Sequence, residues 1–137
     1  MTTPYAALLS LRQVEEQQAE AVLAAALREV DVNENLLREL TEVRAAWLAG
    51  ELGGVAETLI GLETAERGAE RRLIDAQRRT ATARQALLEC QRQRKVVEEL
   101  HRNALAAAAR LAAHRAQREL DELGSRAAGT FTAGGTR

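Results

Sequence analysis

"AGELGGV", residues 49–55, is the stretch on which the fold turns. Gly50, Gly53 and Gly54 crowd into it, and glycine clusters between periodic segments mark turns. On both sides the chain is built to be helical. Ala, Glu, Leu, Arg and Lys make up about three-fifths of it, the composition of long helices or coiled coils. The only proline is Pro4, so nothing further along removes a helix hydrogen bond. Thr3-Pro4 reads as a helix start, with Thr as N-cap and Pro at the first helical position. Gly124, after "LDEL", reads as a C-cap. The expected fold is all-α: helix one over about 4–49, a tight turn at 50–54, and helix two over about 55–123. Residues 1–124 form a single coiled-coil hairpin in this reading. The Gly/Thr/Ala-rich end, 125–137, is expected to be a disordered tail.

The 137 residues contain three aromatics, Tyr5, Trp47 and Phe131, and no run able to span a membrane. A compact globular core would need more large side chains than that. Cys90 has no second cysteine to pair with, and no secretory signal precedes Tyr5, so the chain reads as cytoplasmic.

Helix two carries a heptad. Stepping by seven from Val55 gives Leu62, Ala69, Ala76, Ala83, Cys90, Val97, Ala104 and Leu111, all apolar. The companion series Leu52, Leu59, Leu73, Leu87 and Ala108 fits, but Glu66, Thr80, Arg94 and His101 break it. That is a coiled-coil seam with polar interruptions, and its alanines allow a close helix partner. The apolar stripe of helix one (Leu8, Leu11, Val22, Leu23, Leu27, Val30, Leu37, Leu40, Val43, Trp47) drifts as an unstrained 3.6 period would.

Charge is segregated. Residues 1–66 hold 4 Lys/Arg and 12 Asp/Glu, and residues 67–137 hold 15 and 8, giving halves of −8 and +7. Opposite halves joined by a short turn favour an antiparallel, monomeric hairpin, with position i opposite about 104 − i and Leu8 near Val97. Each exposed pair adds only tenths of a kcal/mol, so charge selects register more than it stabilises.

Helix two then outruns its partner. From about residue 101 it has no facing helix, and "LAAAARLAAHRAQRELDELGSR", 105–126, is expected to overhang by ~30 Å. Leu105, Ala109, Ala112, Ala116, Leu120 and Leu123 share one face of it, ringed by His114, Arg115 and Arg118.

No catalytic constellation is present, and no cofactor is expected. His101 and His114, roughly 20 Å apart on one helix, cannot share a metal. Gly53-Gly54 lacks the Lys-Ser/Thr of a phosphate loop. The run Arg67–Lys95 holds nine Lys/Arg against three acids, but an acidic helix beside it and the lack of stacking aromatics argue against nucleic acid. Gly61 and Gly68 fit loosening or close helix approach, or else a partner contact. Trp47, at the hairpin tip, is either a recognition anchor or a packing residue.

Two stretches resemble the FliJ family of flagellar export proteins, small cytoplasmic two-helix coiled coils. They are "RQRKVVEELHRNALAAAARLAAHRAQRELDELGSRA", 92–127, and "LLRELTEVRAAWLAGEL", 36–52. The resemblance implies a non-enzymatic stalk of the type III export apparatus, similar to the central stalk of rotary ATP synthases. Its paired helix ends would enter the hexameric export ATPase ring, here through Leu105, Arg110, Arg115, Arg118, Leu120 and Leu123. The region near the turn would contact the membrane export-gate protein, which also implies peripheral association with the export apparatus. The family's spacing falls on Leu36, Leu40, Val43 and Trp47, and on Thr58, Leu62, Ala65 and Ala69 in the returning helix. Val43 and Thr58 stand where the family favours aromatics. Export chaperones are the third implied partner, and motility the process served. The alternatives are the stalk of a virulence-type type III secretion system, or a generic dimeric coiled-coil adaptor.

Overall fold

A computed structural model describes residues 3–50 and 56–135, with side-chain surroundings through residue 129. It is an all-α, two-helix hairpin: α1 is Tyr5–Leu48 and α2 is Ala56–Gly135. No described residue is in a strand.

The start of α1 follows the Thr-Pro signal, with the Ala6 amide donating to the Thr3 carbonyl at 3.1 Å. Its end is set by Gly50. The Gly50 amide donates to the Trp47 carbonyl at 3.1 Å, and Gly50 itself has φ +79°. That left-handed conformation is open to glycine and strained for other L-residues. The rest of the expected turn, 51–54, and the first heptad residue, Val55, lie outside the described residues.

At its other end α2 departs from expectation. It does not stop at Gly124 but continues through Ser-Arg-Ala-Ala to Gly135. Gly124 has no positive φ, so it is an interior helix residue and not a cap. The physical reason is that one interior glycine costs only ~1 kcal/mol, while flanking alanines and arginine favour the helix. The tail expected to be disordered over 125–137 is therefore helical as far as Gly135.

The chain divides into two units: Leu11–Arg94, and Met1–Ser10 with Lys95–Arg137. In the first, the heptad alanines of α2 form the seam. Ala69 and Ala76 are fully buried at 0% exposure, Ala83 is buried, and Ala26 of α1 is buried with them. Among the described residues no large side chain is fully buried. Each buried methyl(ene) contributes only ~0.8 kcal/mol, so the pairing draws on the length of the seam more than on any one layer.

The polar interruptions of the α2 heptad all turn toward α1 and find partners. Glu66 is buried, and its Oε1 lies 2.9 Å from Arg44 Nε, an ion-pair contact without hydrogen-bond angles. Buried Thr80 donates to the Ala76 carbonyl at 2.9 Å. Arg94 pairs with Glu16, both largely shielded. Arg79 adds a more exposed pair to Glu29 at 2.6 Å, and Arg12 reaches Gln93 at 3.3 Å. The residue numbers of these cross-helix pairs sum to between 105 and 110, so the helices are antiparallel and close to the expected register.

The same pairs reveal a second heptad. Tyr5, Arg12, Ala19, Ala26, Asn33, Leu40 and Trp47 recur every seven residues in α1, as do Leu9, Glu16, Leu23, Val30, Leu37 and Arg44. None of them is exposed. The drifting stripe read from sequence therefore overlaps the seam only in part, through Leu23, Val30, Leu37, Leu40 and Trp47. Polar Arg12, Glu16, Asn33 and Arg44 occupy seam positions and hide the repeat, while Leu11, Val22 and Val43 of the apparent stripe lie outside it, exposed.

In the second unit the Thr3 hydroxyl shares a 2.5 Å hydrogen bond with His101 Nδ1, and Val97 is buried. Ala104, Ala107 and Ala108 are half-buried, and every described residue from Ala109 to Gly129 is exposed. The overhang therefore begins about eight residues later than expected.

Two outcomes follow for the Arg44–Glu66 pair. Arg44→Ala leaves the buried Glu66 carboxylate alone, a defect of about 1–3 kcal/mol. The partial exposure of Arg44 places the expected loss in the lower half of that range. Arg44→Leu with Glu66→Leu should melt at or above the wild-type temperature, since apolar replacements of such pairs are often neutral or better. Circular-dichroism melts check both. By the same measurement, Gly50→Ala should destabilise by roughly 1 kcal/mol through its positive φ. Gly61→Ala should stabilise by about 0.5–1 kcal/mol, because a Cβ there meets nothing within 4 Å.

Candidate functional site

Near the turn, the Arg44–Glu66 pair fixes the neighbourhood of the residues assigned to gate contact. Leu40 and Trp47 lie one turn to either side of Arg44, and Leu62 and Ala69 do the same for Glu66. The structure thus brings both strings of residues to the two sides of one seam, but it distributes their surfaces unevenly. Ala69 is fully buried between the helices and has no side-chain surface for a partner, which removes it from the contact set. Leu36, Leu40, Leu62 and Ala65 are half-buried. Val43, at 41% exposure, and Thr58 are the most open members.

Trp47 occupies the last described seam position of α1. It is half-buried, and its indole Nε1 is buried without a hydrogen-bond partner among the described residues. Half-burial and a shielded indole N–H mark a ring packed on the hairpin with one side left open. The shielded N–H fits packing on the hairpin, and the open side keeps surface for an anchor. Gly61 and Gly68 do not mark close helix approach. A Cβ would find open space at Gly61 and only the far end of the Arg72 side chain, at 3.4 Å, at Gly68.

Leu105, just before the overhang, and Leu120 and Leu123 within it are all exposed, the last two by about 60%. Leu105 and Leu123 are five helical turns apart and so share a line, with Leu120 beside it. Arg110, Arg115 and Arg118 are exposed and pair with no carboxylate among the described residues. Their charge is available to a partner. Leu111 is a further candidate that sequence reading placed in the seam. Its heptad position continues Val97 and Ala104, but α1 has ended opposite it and it is 59% exposed. Cys90 is half-buried at its seam position.

A family model described as "Flagellar FliJ protein" matches residues 1–130 of the 137. The chain belongs to the FliJ family. No curated protein and no solved structure matches it. The FliJ family is one of non-catalytic stalk or coupling proteins and implies a role in flagellar export. Among the described residues, no helix is long and apolar enough to cross a membrane.

Trp47 yields a direct test of its packing role. Trp47→Phe removes the unpartnered N–H while keeping most of the ring, and should leave the melting temperature unchanged or raised. Trp47→Ala should destabilise by about 2 kcal/mol, below the 3–5 kcal/mol of a fully buried aromatic because the ring is partly open. Equal melts for wild type and Trp47→Ala would mean that the indole does not pack.

Proposed function

We propose that this FliJ-family chain is the stalk of a flagellar type III export apparatus, with its α2 overhang entering the hexameric export ATPase ring. The observation that supports this is the stretch from Ala109 to Gly129, a helix exposed on every side with no partner helix in its own unit. Most helical stability in proteins comes from tertiary packing, and this stretch has none of its own, so enclosure by a partner would add to it. Its outline suits a pore: Ala-rich and thin, with single leucines to touch apolar loops and unpaired arginines to meet carboxylates of the ring.

Contact with the export-gate protein is assigned to the turn end, through Val43, Thr58 and the open edges of Leu36, Leu40, Leu62, Ala65 and Trp47. Export chaperones complete the proposed partners. Association of the protein with the membrane would then be indirect, through the gate. An injection-system stalk would use the same mechanics, but the family match favours the flagellar assignment.

Removing residues 109–137 separates the two contacts. The truncated chain keeps the described seam and the Thr3–His101 hydrogen bond, so it should stay helical and monomeric. Its stimulation of the purified export ATPase should fall to the basal level while binding to the gate protein persists. Full stimulation by the truncated chain would show that the overhang is not the ring-binding element. A stable dimer under light scattering would favour the adaptor reading.

A further inference from the structure

The face of α2 directly opposite the seam carries a heptad of its own. Arg67, Ile74, Ala81 and Leu88 recur every seven residues, with Arg71, Arg78, Gln85 and Arg92 between them. All eight are exposed, Ile74 by 48% and Leu88 by 45%. The line runs ~38 Å and contains four arginines, and although Asp75 and Glu89 lie along its flank it stays net positive.

Two physical facts separate this line from an ordinary solvated face. First, the hairpin does not use its charge. Arg67, Arg71 and Arg78 have no carboxylate within 4 Å among the described residues, and Arg92 reaches only Glu89 of its own helix, at 3.7 Å. Second, its repeat equals that of the seam. A strict seven-residue repeat winds with the supercoil, so the line stays on the outside along its whole length, where a second heptad helix can follow it.

We propose that the outward face of α2 between Arg67 and Arg92 docks an acidic amphipathic helix of a partner protein, laid alongside as a third strand. The apolar residues of that helix would cover Ile74, Ala81 and Leu88, and its Glu or Asp flanks would meet Arg67, Arg71, Arg78 and Arg92. The surface is distinct from the ring and gate residues, none of which lies on it.

The composition of the strip selects this occupant. Nucleic acid would engage the arginines but leave Ile74 and Leu88 uncovered, and the strip has no aromatic for a base to stack on. A flat anionic membrane touches a convex helix along one narrow band and offers nothing matched to a seven-residue spacing. A second copy of this chain does not supply the complement either. The outward heptads of α1 read Gln17, Ala24, Asp31, Arg38 and Val14, Ala21, Arg28, Asn35, Glu42, with Val14 at one end as the single large apolar residue and an arginine in each line.

The test uses the full chain and a synthetic heptad peptide of about 28 residues, with Leu at the two apolar positions and Glu on the flanks. A peptide with Lys in place of Glu is the charge control. Fluorescence anisotropy should show saturable binding of the acidic peptide only. Arg71→Glu with Arg78→Glu, and separately Ile74→Asp with Leu88→Asp, should each weaken binding at least about tenfold, equivalent to 1.4 kcal/mol. Arg38→Glu on α1 should have no effect. Helicity should be unchanged because every substituted side chain is exposed; if charge reversal lowers it, Arg71→Gln with Arg78→Gln gives the reading instead. The proposal is overturned if binding is indifferent to the strip substitutions. It is also overturned if anionic vesicles or single-stranded RNA bind the strip more tightly than the peptide, or if the strip mediates self-association.

Discussion

Alanine at the helix interface is the constraint from which the rest of this structure follows. Side chains as small as those of Ala26, Ala69, Ala76 and Ala83 let two helices approach closely, but each layer buries little. A seam of that kind specifies position poorly, because one alanine resembles the next. The polar residues within it supply the missing specificity. Glu66 with Arg44, Arg94 with Glu16, and His101 with Thr3 each find a partner in only one alignment. A buried pair is weak evidence for stability, and a better account of these is that they fix register, as polar core residues do in other coiled coils. The apparent defects of the α2 heptad thus take over the role that large interlocking side chains play in a conventional core.

That arrangement explains which parts of the fold could be read from sequence. The hairpin, its antiparallel sense and its approximate register were legible in the glycine cluster around Gly50, the charge segregation and the Leu62-to-Leu111 repeat. The heptad of α1 was not, because Arg12, Glu16, Asn33 and Arg44 stand at its seam positions and hydropathy counts them as surface. Their role becomes visible only when the partner residue on α2 is known. The true extent of α2 was also hidden. Gly124 carries a local stop signal, but a cap requires a left-handed backbone, which only Gly50 adopts among the described residues.

The candidate surfaces were legible to different degrees. Exposure of Leu105, Leu120, Leu123 and the three arginines followed from simple counting of helix lengths, though the start of the overhang shifted to Ala109. Leu111 escaped because its heptad phase is correct while its partner is absent. Around the turn, spacing alone could not distinguish Val43, which is open, from Ala69, which is sealed, since both lie on helix faces near the seam. Periodicity identifies a face, and only the partner helix determines which side of it remains available.

The pairing order along the hairpin has a mechanical consequence. Arg44 and Glu66 are 22 residues apart in the chain, Glu29 and Arg79 are 50 apart, Glu16 and Arg94 are 78 apart, and Thr3 and His101 are 98 apart. Closing a longer loop costs more entropy, so contacts beside Gly50 form most cheaply and each later pair depends on those before it. A tensile load applied across Glu16 and Arg94 would meet the heptads between them and Gly50 in series instead of all at once. Shallow alanine layers would then yield in small, reversible steps, the behaviour of a zipper and not of a latch.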